Sequence, residues 1–143
     1  MKKLAVGLVL CVPLVLGAGE ENPKEAVRKV LEAQVKAWNK GDLPAFMEGY
    51  WQAPDLTFFS GNTKTAGWQA TLERYRKKYQ TDKKDMGKLT FQDLEIEILG
   101  ADHALVKGRF LLKMKEESST GLFTLILKKL PTGWRIIHDH TSG

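Results

Sequence analysis

At Lys88 the spacing of apolar residues changes from a helical to a strand period, and this switch limits the fold more than any other feature of the chain. Four strands are predicted beyond it, at about residues 89–99, 103–115, 121–130 and 133–141. Their links are short, near Gly100, at residues 116–120 and at Pro131-Thr132-Gly133. Short links join antiparallel neighbours, so the strands form a meander. In the second strand Ala104, Val106, Gly108, Phe110, Leu112 and Met114 share one face, and Lys107, Arg109, Lys113 and Lys115 share the other. Residues 122–127 are apolar on both faces. One face meets the helices, and the other is expected to meet a second copy of the sheet.

Before the switch the period is helical. Asn22-Pro23-Lys24-Glu25 supplies a cap and a proline at the first helical position, and Val27, Val30, Leu31, Val35 and Trp38 follow at helical spacing up to Gly41. Asp42 caps a short second helix through Met47. Residues 55–60 read as a strand closed by the Gly61-Asn62 turn. A third helix is predicted over residues 67–79, with Trp68, Leu72, Tyr75 and Tyr79 in one stripe, and residues 80–87 read as a polar loop. Helices followed by a curved antiparallel sheet make an α+β fold, a cystatin-like cone in which the sheet wraps around the N-terminal helices and leaves a central cavity. With 143 residues, 43% of them apolar, and no internal repeat or linker, a single domain is expected over residues 20–143.

Residues 1–19 read as a signal peptide. Lys2 and Lys3 precede an uncharged apolar stretch from Leu4, and Gly17-Ala18-Gly19 supplies small residues before Glu20. The stretch is shorter than a membrane span and contains Pro13, so no stable membrane insertion is expected after cleavage. The mature protein is expected to be exported, to the periplasm or beyond the cell. Cys11, the single cysteine, would leave with the leader, which excludes a disulfide scaffold and a cysteine zinc site.

Chemistry concentrates at His138-Asp139-His140. In a regular strand both imidazoles share a face with Trp134 and Ile136, while Arg135, Ile137 and Asp139 take the other. If the Trp134 face is concave, His138 and His140 enter the cavity. There they would serve as an acid/base pair, as polar contacts for a ligand, or as hydrogen-bonded structural groups. A metal site would need a third ligand, and His103 lies toward the far end of its own strand. No metal and no cofactor is therefore assigned. Tyr50, Phe58, Trp68, Tyr75, Tyr79 and Trp134 are the candidate walls of a pocket for a small, partly apolar molecule. Arg109 joins them only if a bulge turns it inward.

The formal charge of +5 gathers at Arg74, Arg76, Lys77, Lys78, Lys83, Lys84 and Lys88. Cations at a helix C-terminus complement its dipole, and no nucleic-acid-binding motif accompanies them, so no nucleic-acid partner is expected. Leu94, Ile96 and Ile98 occupy the inward parity of the first meander strand, and no inward carboxylate is expected. Phosphate loops, G-x-S-x-G and HExxH are absent from the sequence.

The order of these elements carries a resemblance. Together with residues 27–31, Trp38-Asn39-Lys40-Gly41-Asp42, Gly67-Trp68 and the ending Gly133-Trp134-Arg135-Ile136-Ile137-His138-Asp139-His140-Thr141-Ser142, it resembles SnoaL-like proteins of the nuclear transport factor 2-like superfamily. The closing W-x(3)-H-x-H-x-S is similar to the end of the association domain of calcium/calmodulin-dependent kinase. The resemblance implies the cone-shaped fold and a homodimer packed through the sheet. It spans cyclases, isomerases, dehydratases, binding modules and assembly domains, and carries no catalytic residue over. Three roles stay open: a small-molecule-binding domain, a lyase or isomerase using His138 and His140 with pocket tyrosines, and a non-catalytic assembly domain.

Overall fold

The computed structural model describes residues 19–82 and 85–143. Helix α1 (Pro23–Asn39) begins where the Asn22 side chain accepts the Lys24 amide, and it buries Val27, Leu31, Gln34, Ala37 and Trp38. Helix α2 (Leu43–Met47) is capped by Asp42, whose carboxylate accepts the Ala45 amide at 3.0 Å. Strands β1 (Thr57–Ser60) and β2 (Thr63–Ala66) form a tight hairpin in which Ser60 pairs with Thr63. Gly61 leads its two-residue turn at φ 59°, a value that glycine adopts without strain.

Helix α3 (Trp68–Tyr75) continues into a π-helical segment, Arg76–Asp82, beyond the predicted helix end. The meander follows as β3 (Lys88–Leu99), β4 (His103–Lys113), β5 (Ser118–Leu130) and β6 (Gly133–Thr141). The sheet order is β2-β1-β6-β5-β4-β3. All neighbours are antiparallel except β1 and β6, which run parallel, so the expected antiparallel sheet is a mixed one. The fold is the α+β cone, with the concave face turned to the helices.

The core follows the predicted parity. Ala104, Val106 and Leu112 of β4 and Phe123, Leu125 and Leu127 of β5 are buried against Leu31, Trp38, Phe46 and Met47. Each large apolar side chain so buried is worth about 1.5–3 kcal/mol. Gly108 makes room in this layer, since a Cβ there would stand 2.6 Å from Cζ of Phe123 and 2.9 Å from Cδ2 of Leu94. Leu122, on the outer face of β5, is 55% exposed. Among the described residues no helix is long and apolar enough to cross a membrane. The leader read at residues 1–19 lies outside the described residues except for Gly19.

Candidate functional site

The concave face and the helices enclose a cavity of about 150 Å3. A space of that size holds one aromatic ring. What lines it is decided by a bulge in β6. Leu127 pairs with Ile136, and the next residue of β5, Ile126, pairs with His138, which leaves Ile137 as an extra residue in β6. One inserted residue moves every later side chain to the opposite face. Trp134 and Ile136 face inward as expected from the strand period, at 5% and 0% exposure. Beyond the bulge it is Asp139, at 3% exposure, and then Thr141 that face the cavity.

The expectation that His138 and His140 enter the cavity is corrected by this geometry. Both lie on the outer face with their β1 neighbours: Thr57 is level with His138, and Phe59 with His140. Thr57 Oγ1 and His138 Nδ1 are 2.6 Å apart, and the Phe59 ring stands edge-on to both imidazoles, 4.9 Å and 6.0 Å between centroids. Partial burial, helped by the neighbouring His140, pushes the His138 imidazole below its usual pKa. Arg109 also stays outside, 3.7 Å from Asp93. Among the described residues no three His, Cys, Asp or Glu side chains converge as metal ligands.

The inward carboxylate that the strand period denied is Asp139. Its Oδ2 accepts the Tyr50 hydroxyl at 2.7 Å and its Oδ1 accepts the Thr141 hydroxyl at 2.6 Å. Burial pushes this carboxyl up to about 6, against the pull of those two hydroxyls and of His140. Tyr50 is held beside β6 by two backbone bonds that flank it, Trp51 N–H to Ile136 C=O and Ile136 N–H to Gly49 C=O, each 2.9 Å. Burial, then the Asp139 carboxyl, raise the Tyr50 phenol well above its ordinary value. Tyr75 lines the same cavity, and burial likewise pushes its phenol far up. Two permanently protonated phenols and one carboxyl that titrates near neutrality thus form the polar pole of the cavity.

The aromatic wall agrees in part with the sequence reading. Tyr50, Phe58, Tyr75 and Tyr79 line the cavity. Tyr75 stacks on Phe58 at 5.3 Å and on Tyr79 at 6.0 Å, and Trp38 meets Tyr75 and Tyr79 edge-on. Trp68 and Trp134 do not line it. Trp68 donates its indole N–H to the Met47 carbonyl at 2.9 Å and clamps α3 to α2, while Trp134 is packed into the core at the start of β6. Gln34 reaches the cavity from α1 beneath Gly49, where a Cβ would fall 2.8 Å from its side chain. Arg74 and Lys78, read from the sequence as cations complementing the helix dipole, also line the cavity. Their i, i+4 spacing, the same as that of Tyr75 and Tyr79, is the signal that both belong to one helical side.

Residues 27–143 match the SnoaL-like domain family. The chain belongs to this family, within the nuclear transport factor 2-like superfamily. Among solved structures it is similar to an NTF-2 like protein of unknown function from Shewanella oneidensis, with 40% identity over 85% of this chain and 100% of that one, at a TM-score of 0.80. It is also similar in fold to a putative calcium/calmodulin dependent protein kinase II association domain from Xanthomonas campestris (18% identity, 88% and 90% of the two chains, TM-score 0.67). A ketosteroid isomerase-like protein from Erwinia carotovora atroseptica shares the fold at 19% identity, 86% and 97% coverage and a TM-score of 0.64. No curated protein matches the chain.

Proposed function

We propose that this chain is a small-molecule-binding domain whose cavity takes one partly apolar molecule of about one ring. The observation that carries this reading is Asp139, a carboxyl set in a mostly aromatic wall and raised to about 6 by burial, with the Tyr50 hydroxyl donating to it and the Tyr75 phenol in the same wall. Export through the leader at residues 1–19 belongs to the same reading. So does a homodimer through the outer sheet face, supported by the exposure of Leu122 beside half-buried Ile126. Protein-observed NMR with single-ring compounds tests the cavity. Shifts are expected at Phe58, Tyr75 and Asp139; shifts confined to His138 and His140 would contradict the reading.

A second reading is a lyase or isomerase, and the raised carboxyl favours it over a purely structural domain. Asp139 in its ionised form would take a proton from a carbon next to a carbonyl, and Tyr75 would donate a hydrogen bond to the developing enolate oxygen. The protonated Asp139 would then return the proton to another carbon, or the enolate would expel a leaving group. This moves the acid–base role from the imidazoles to the carboxyl between them. Exchange of a ligand's α-hydrogen for deuterium in D2O, lost in Asp139→Asn, separates an enzyme from a binder.

A further inference from the structure

Two cations, Arg74 and Lys78, line the same cavity as the buried Asp139. Among the described residues no carboxylate lies within ion-pair distance of Arg74 or Lys78, whereas nearby Arg76 is paired with Glu73. Arg74 is nonetheless held in place. It donates to Thr65 Oγ1 at 3.0 Å and to the Ser60 carbonyl at 3.3 Å, and its guanidinium lies 4.8 Å from the Phe58 ring centroid. Those two bonds use two of five N–H donors. Arg74 is half-buried and Lys78 exposed, so the pair marks the solvent end of the cavity, and Asp139 the enclosed end. A fixed guanidinium with spare donors, beside a lysine and without an acid partner, is built to receive an anion.

We infer that the occupant is a small aromatic carboxylate, its carboxylate held by Arg74 and Lys78 and its ring against the phenylalanines of β3, β4 and β5. Phe91, Phe110 and Phe123 supply that opposing wall. The far edge of the ring then reaches Asp139 and Tyr75, which places any reacting carbon at the end remote from the carboxylate. The inference rests on the cavity-binding reading given above and adds the charge of the ligand to it.

A matched pair of probes tests it. Phenylacetate and phenylacetamide have the same shape and differ in charge, and their affinities are compared by calorimetry at pH 7.5. The carboxylate is expected to bind about tenfold tighter, as a charge-assisted contact requires. Arg74→Gln with Lys78→Gln should reduce that ratio to about one, and circular dichroism reports whether the variant is folded. Lys78→Gln alone, at an exposed position, should lower the ratio about threefold, and it serves if the double variant does not fold. Equal binding of the two probes, or a carboxylate preference that survives these substitutions, overturns the anion inference and leaves the cavity reading standing. Binding of neither probe overturns both.

Discussion

The Tyr50 hydroxyl and the Asp139 carboxylate, 89 residues apart in the chain, meet at 2.7 Å in the enclosed end of the cavity. Tyr50 stands just after α2 and Asp139 just after the β6 bulge, so their contact depends on two local irregularities. Neither a regular helix nor a regular strand would bring them together.

Stability should depend on pH through Asp139. Its carboxyl titrates at about 6 in the folded chain against an ordinary 3.8, so the folded state binds the proton more tightly. That contribution is fully present below about pH 3.8 and is lost as pH rises through 6, a change of ~3 kcal/mol. Asp139→Asn removes the titration and still offers an acceptor to Tyr50. Urea unfolding should show the variant more stable than wild type by up to ~3 kcal/mol at pH 7, with the difference vanishing below pH 4. A difference that stays constant across this range would contradict the assignment.

Tyr50→Phe removes the donor and leaves Oδ2 of a buried carboxyl without it. A loss of about 1–3 kcal/mol is expected at neutral pH, where the carboxylate is charged. At pH 4, where it is protonated, the loss should be smaller. Chemical denaturation at the two pH values measures both.

Gly108→Ala tests the packing of the sheet against the cavity floor. The added Cβ would collide with the Phe123 ring, which itself lines the cavity, and with Leu94. About 1–3 kcal/mol of destabilisation is expected, together with weaker ligand binding as Phe123 is pushed inward. Thermal unfolding with and without a bound ring compound reports the two effects separately.

Leu122→Glu addresses the proposed dimer. A charge in place of Leu122, the exposed apolar side chain of the outer face of β5, should turn a dimer into a monomer in sedimentation equilibrium, with unchanged secondary structure. A wild-type chain that sediments as a monomer would remove the sheet-face dimer.

Much of the architecture is legible because it is periodic. The change at Lys88, the alternation along β4 and the capped start of α1 each reflect the burial of one face, and all three stand in the structure. Strand β2 is not legible, because Thr63-Lys64-Thr65-Ala66 is mostly exposed and shows no apolar alternation; it exists by pairing with β1. The π-helical segment likewise has no buried residue to mark it. Within the site, the aromatic stripe of Tyr75 and Tyr79 shows at helical spacing, and Phe58 shows in a short apolar strand. The polar residues are where the reading goes astray, and for one reason. A strand period assigns His138 and His140 to the Trp134 face, and nothing in Trp134-Arg135-Ile136-Ile137 announces that Ile137 is extra. The bulge is set by pairing with β5, a tertiary relation, and it exchanges two imidazoles for one carboxyl. Arg74 and Lys78 are misplaced differently, since cations near a helix C-terminus read as complements to its dipole unless the cavity beside them is known.

The inward turn of Asp139 is tested most directly by following its carboxyl carbon and the His138 and His140 imidazoles in one NMR pH titration, with and without a saturating single-ring ligand. A carboxyl midpoint near 6 that moves when ligand is added is expected, while the imidazole signals do not respond to the ligand. A carboxyl midpoint near 4 that ignores the ligand, with imidazoles that respond to it, would place the histidines, not Asp139, in the cavity.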